Sequence, residues 1–97
     1  MARVVTRLGE RTELICGALG DKPIDVLWYF DSRILDPHTD RRMKIRKEPT
    51  DEGITSILEI SGAARTHTGS YTCNAANAFG RDTRLIELVV QGKNINL

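Results

Sequence analysis

Ninety-seven residues, 40% hydrophobic and 28% charged, suit one packed soluble domain, not a disordered, collagen-like or coiled-coil chain. The 14 Lys and Arg nearly cancel the 13 Asp and Glu, and a formal charge of +1 gives no whole-domain case for binding nucleic acid or a membrane surface. No apolar run approaches the roughly 18 residues of a membrane span.

Along the chain, short apolar runs alternate with period two between turn residues, the pattern of an all-β domain. Met1-Ala2-Arg3-Val4-Val5-Thr6 lacks the apolar centre of a signal peptide, and Met1 is expected to be an added start. Thr12, Leu14 and Cys16 share one face of a first strand. Gly20-Asp21-Lys22-Pro23 is a turn, and Ile24, Val26, Trp28 and Phe30 then run in phase. Ile34-Leu35 forms a short edge strand before Asp36-Pro37. Arg42 to Lys47 is a basic strand with Met43 and Ile45 inward, and Glu48 to Gly53 is a hairpin tip. Ser56, Leu58 and Ile60 alternate, as do Tyr71, Cys73 and Ala75. Asn77-Ala78-Phe79-Gly80 is a hairpin loop, and Thr83 to Val90 is the last strand with Ile86, Leu88 and Val90 facing in. No helical period exceeds about two turns. Several strands at this spacing suggest a sandwich or a barrel.

Cys16 and Cys73 lie 57 positions apart, each in mid-strand on the core face, with Trp28 twelve after the first. This order and spacing resembles the immunoglobulin pattern, in which a disulfide joins two sheets and a tryptophan packs on it. Tyr71, two before Cys73, fits that pattern's tyrosine corner. Leu58-x-Ile60-x-x-Ala63, then Gly69-x-Tyr71-x-Cys73-x-Ala75-x-Asn77-x-x-Gly80, with Leu88-x-Val90, resembles the intermediate-set (I-set) immunoglobulin domain from about residue 4 to 90. Asp21-Lys22-Pro23-Ile24-x-Val26-x-Trp28, Ile34-Leu35-Asp36-Pro37 and Asn77 to Gln91 further resemble a domain of the Down syndrome cell adhesion molecules (Dscam), the one adjoining their fibronectin type III repeats. The resemblance implies a two-sheet antiparallel sandwich over residues 1–91 with a Cys16–Cys73 bridge, and a polar tail or linker at 92–97. It also implies an extracellular, cell-surface origin in a single-pass receptor that adheres homophilically between neurons. One position departs: the family usually carries Asp where this chain has His67, and that Asp often pairs with a basic residue near the position of Arg41 and Arg42. A histidine cannot make that pair, so a local rearrangement is expected. The opposing reading of the cysteines is a reduced, buried pair, as in intracellular domains of muscle type.

No catalytic constellation is present: neither His38 nor His67 is placed beside a nucleophile and an acid. His67 reads as a turn residue in preference to a pH switch. With both cysteines bridged, no zinc spacing remains, and no glycine-rich phosphate loop occurs. Neither a cofactor nor a metal is therefore expected. Arg41, Arg42, Lys44, Arg46 and Lys47 put five cations in seven residues. They form either a polyanion patch or, with Met43 and Ile45 turned inward, the solvated face of a charged edge strand.

Binding is expected on the sheet face out of phase with the core: Leu27 and Tyr29, Thr72 and Asn74, then Leu85, Glu87 and Val89. The bland reading is that exposed single apolar residues are normal. Phe79 either contacts a neighbouring domain or caps its own core. No Asn-x-Ser/Thr acceptor occurs, which leaves both faces free of N-glycan. The reading is a non-enzymatic module of an adhesion receptor, a spacer or weak homophilic contact whose partners are a second receptor or the adjacent domains. The alternatives are an intracellular scaffold domain and the ligand-binding domain of a receptor kinase.

Overall fold

The computed structural model describes residues 1–92. Eight strands form two sheets: β1 (Ala2–Arg7), β2 (Thr12–Leu19), β3 (Asp25–Phe30), β4 (Arg33–Ile34), β5 (Met43–Pro49), β6 (Gly53–Ile60), β7 (Gly69–Asn77) and β8 (Gly80–Gln91). One sheet runs β1-β8-β7-β3-β4 and the other β2-β6-β5. β1 pairs parallel with β8, and every other pairing is antiparallel.

The alternation read from the sequence is the alternation of burial. Leu14 and Cys16 from β2 and Leu58 and Ile60 from β6 meet Val26, Trp28, Tyr71, Cys73, Ile86 and Leu88 from the opposite sheet. Removing each large aliphatic side chain from water contributes about 1.5–3 kcal/mol. The Cys16–Cys73 disulfide spans the two sheets, with its Cα atoms 6.5 Å apart. Closing a loop of 57 residues stabilises by at most about 4 kcal/mol in the chain-entropy model. Trp28 is buried, and its indole N–H donates to Ser56 Oγ at 2.9 Å, so its one polar atom is satisfied inside the core. The Tyr71 hydroxyl donates to the His67 carbonyl at 2.7 Å, closing the tyrosine corner, and its ring stacks on Phe30 with centroids 4.6 Å apart. Burial pushes the Tyr71 phenol well above its ordinary pKa, so it remains a donor.

The turns follow from the backbone they need. β3 and β4 are joined by Asp31 and Ser32, both at positive φ (47° and 71°), the conformation that suits a two-residue hairpin. Gly53 opens β6 against β2, where a Cβ would come within 1.8 Å of the Ala18 carbonyl oxygen. Only glycine permits that approach.

Several boundaries differ from expectation. β5 runs through Glu48 to Pro49 and β6 starts at Gly53, which leaves a shorter tip at 50–52. Pro49 is tolerated there because β5 is an edge strand. β8 begins at Gly80, three residues early, and β1 had no expectation at all. The expected tail at 92–97 lies, from 93 on, outside the described residues.

Candidate interaction surfaces

The registers bring the expected interface residues onto the outer face of the five-stranded sheet. Leu27 lies opposite Asn74, and Tyr29 lies opposite Thr72, which in turn lies opposite Leu85. Glu87 and Val89 continue that face along β8. Leu27 and Leu85 are exposed, while Tyr29, Thr72, Asn74, Glu87 and Val89 are half-buried. Two further aliphatics complete the patch. Ile34 pairs with Tyr29 and Val5 with Val89, and both are exposed. Arg3 sits beside Glu87, its Nε 3.5 Å from the carboxylate. Ile34 was within reach of the sequence, since an edge strand after β3 must pair with it. Val5 was not, because the parallel pairing of β1 leaves no local signal. Asn74 Oδ1 is buried on this face with no hydrogen-bond partner among the described residues, a costly state for an acceptor.

The basic run does not stay together. Arg41 and Arg42 precede β5, Lys44 and Arg46 project from the outer face of the three-stranded sheet, and Lys47 alternates to its other side. Arg46 is engaged by three carboxylates: Nη2 to Glu13 at 2.9 Å, Nη1 to Glu59 at 3.0 Å and Nε to Glu48 at 3.4 Å. Arg11 joins the same cluster, with Nε 3.0 Å from Glu59 and Nη2 3.6 Å from Glu13. The Arg11 hydrogen bond holds the Glu59 carboxyl below the usual range, and the bond to Glu13 raises Arg46 above its own.

At one end of the sandwich the β7–β8 loop is braced. Asn77 Oδ1 accepts from the N–H groups of Phe79 and Gly80 at 2.9 and 3.0 Å, and its Nδ2 donates to the Asp21 carbonyl at 3.1 Å. Lys22 Nζ donates to the Thr50 carbonyl at 2.5 Å. Phe79 is 81% exposed, so it does not cap its own core.

His67 lies at the end of a 3-10 turn over Arg65–His67 and is 2% exposed, a buried turn residue. Its Nδ1 accepts from the Ala64 N–H at 2.8 Å, which leaves the proton on Nε2 to be donated to Asp40 Oδ2 at 2.8 Å. Asp40 also accepts from the Arg42 N–H at 2.9 Å. The His67 bond, helped by Arg42, holds the Asp40 carboxyl below its ordinary value. The expected rearrangement therefore takes a specific form: a buried His67 pairs with a half-buried Asp40, the acid on the β5 side and the base on the β7 side.

Among the described residues no group of three or more His, Cys, Asp or Glu side chains is arranged to hold a metal ion, and no helix is long and apolar enough to cross a membrane.

The immunoglobulin I-set domain model matches residues 1–90. The chain is 42% identical over 85 residues to the cell adhesion molecule Dscam1 of Drosophila melanogaster, covering 88% of this chain. It is 37% identical over 83 residues to the human cell adhesion molecule DSCAM, covering 86% of this chain. It spans only 4% of the length of each of these relatives. Among solved structures, the I-band fragment of titin superposes with a TM-score of 0.78 at 28% identity, covering 94% of this chain and 30% of that one. Fold, disulfide, tyrosine corner and family match agree, and the chain belongs to the immunoglobulin I-set domain family.

Proposed function

We propose that the chain is a non-enzymatic module of a cell-adhesion receptor, held outside the cell, and that its outer five-stranded face makes a weak contact with a second copy. The similarity to Dscam adhesion molecules supports the receptor context, and the bridged cysteines suit an oxidising compartment. The observation that carries the contact is the exposure of Leu27, Ile34 and Leu85 on the same face as a half-buried Tyr29, with Val5 exposed further along that face. A tyrosine amid aliphatics, with the Arg3–Glu87 pair at its margin, is the composition of a small interface centre with a polar rim.

Size sets the strength. Five strands about 4.8 Å apart and averaging about 20 Å in length present on the order of 500 Å² per copy, so two copies bury about 1,000 Å², the low end for a specific contact. Sedimentation equilibrium up to about 1 mM registers a contact near −4 kcal/mol. Dimerisation lost in Tyr29→Asp supports the reading. A monomer throughout the range makes the module a spacer, or one that binds only with its neighbouring domains.

The titin superposition favours a second reading, an intracellular scaffold domain with reduced cysteines. Counting free thiols on protein taken from its native compartment separates the two: none for the receptor module, two for the scaffold.

A further inference from the structure

Ala76, Asn74 and Thr72 face outward in a row along β7, and each is flanked on both sides. The registers set Asp25 and Arg81 beside Ala76, Leu27 and Thr83 beside Asn74, and Tyr29 and Leu85 beside Thr72. Residues directly opposite in neighbouring strands share one face of the sheet. β7 is therefore a column of modest side chains between two walls, Asp25-Leu27-Tyr29 on β3 and Arg81-Thr83-Leu85 on β8. The phase of the β8 wall is set by its pairing with β7, whatever lies on the far side of β8.

The two walls end in opposite charges. Asp25 and Arg81 are both exposed, and neither makes an ion pair among the described residues. They stand two strand spacings apart, about 10 Å, with only the Ala76 methyl group between them. At the other end of the face Glu87 is already paired with Arg3. The face thus carries one satisfied ion pair and one pair of separated, uncommitted charges.

Two copies that meet through one face are related by a two-fold axis in the contact plane, so each contact is made twice with its roles exchanged. The direction of the axis decides the partners. Along β7, the β3 wall of one copy meets the β8 wall of the other: Asp25 meets Arg81, Leu27 meets Thr83 and Tyr29 meets Leu85. Glu87 keeps its own Arg3, and the strands of the two copies run close to parallel, the aligned class of sheet packing. An axis across the strands at Asn74 lays Asp25 on Tyr29 and Arg81 on Leu85, which strips both charges of water and gives them no partner. Moved to lie between Asn74 and Thr72, that axis sets Arg81 on a Glu87 that Arg3 already holds and leaves Asp25 over the turn at Asp31 and Ser32. We infer that the outer-face contact is a two-fold dimer with its axis along β7, in which Asp25 and Arg81 of each copy bind Arg81 and Asp25 of the other and so select a second copy of this chain. The inference rests on the outer-face contact proposed above and assigns its geometry. Exposed charges at the margin of a contact fix its register and reject wrong partners more than they add affinity.

The test follows backbone amide shifts of the isotope-labelled whole chain up to about 1 mM, the range in which so weak a contact registers. Asp25→Arg sets two arginines together at both ends of the axis, and Arg81→Asp sets two aspartates together. Each variant alone should self-associate about tenfold or more weakly than wild type. Mixed, they restore both ion pairs, so labelled Asp25→Arg should move at Leu27, Tyr29, Thr72 and Leu85 when unlabelled Arg81→Asp is added, and not when unlabelled Asp25→Arg is added. Tyr29→Asp placed in both partners should abolish that movement, whereas attraction by net charge alone would survive it. Self-association of wild type that needs Tyr29 but is indifferent to both charge changes overturns the inference and leaves the outer-face contact standing. Sensitivity to Arg81→Asp without sensitivity to Asp25→Arg also overturns it, in favour of an axis across the strands. A wild type that does not self-associate removes the outer-face contact and the inference together.

Discussion

His67 Nε2 and Asp40 Oδ2 are 2.8 Å apart, and the histidine ring is buried with both nitrogens engaged. The ring ties the turn before β7 to the loop before β5, and its own carbonyl receives the Tyr71 hydroxyl. His67→Ala is expected to destabilise the domain by about 2–4 kcal/mol, because it opens a cavity and strips the Ala64 N–H of its acceptor. His67→Asp, which restores the residue more usual in the family, should be at least as harmful, since it sets two carboxylates together. Asp40→Arg in that background should recover part of the loss. Urea unfolding of wild type, His67→Asp, Asp40→Arg and the double variant checks the cycle, and additive effects would deny the coupling.

The carboxylates make the acid limb of stability. Asp40 and Glu59 both have folded pKa values below their ordinary ones, through His67 and Arg11 respectively. A depressed folded value contributes stability that is complete above the unfolded pKa, roughly 4, and is lost as pH falls through the folded one. Stability should therefore drop below about pH 4, and Asp40→Asn with Glu59→Gln should flatten that slope. An unchanged slope in chemical denaturation at pH 2–5 would contradict the assignment.

Trp28 depends on Ser56 for its one polar contact. Ser56→Ala leaves a buried indole N–H without an acceptor and is expected to cost about 1–3 kcal/mol. Ser56→Thr should cost less, provided its methyl group finds space. Thermal unfolding of the two variants measures the difference.

Removing the bridge tests the compartment argument. Cys16→Ala with Cys73→Ala should cost roughly 2–5 kcal/mol. Wild type unfolded in urea with a reductant should lose a similar amount. A negligible loss would make the bridge dispensable and strengthen the intracellular reading.

The basic run gives a sharper expectation than its composition did. Arg46 is occupied by Glu13, Glu59 and Glu48, so Arg46→Ala should leave heparin retention nearly unchanged. Any retention should fall with Lys44→Ala or Arg42→Ala and vanish with salt. Retention that depends mainly on Arg46 would contradict this.

The core was legible because period-two alternation in an antiparallel sandwich is a local property. Leu14 with Cys16, Val26 with Trp28 and Ile86 with Leu88 each declare their face within a few residues. What stayed hidden depends on partners far along the chain. His67 is buried by a bond to a residue 27 positions earlier, and nothing near it marks that. β1 pairs parallel with β8 across nearly the whole chain, so Val5 could not be added to the outer face. The cations of Arg41 to Lys47 were counted together, but their side chains alternate and Arg46 meets acids from β2 and β6.

The central claim is that the outer five-stranded face contacts a second copy. Backbone amide chemical shifts recorded from about 0.05 to 1 mM test it most directly. Concentration-dependent movement is expected at Leu27, Tyr29, Thr72 and Leu85, and should vanish in Tyr29→Asp. Spectra that do not move with concentration, or movement confined to the β2-β6-β5 sheet, would contradict it.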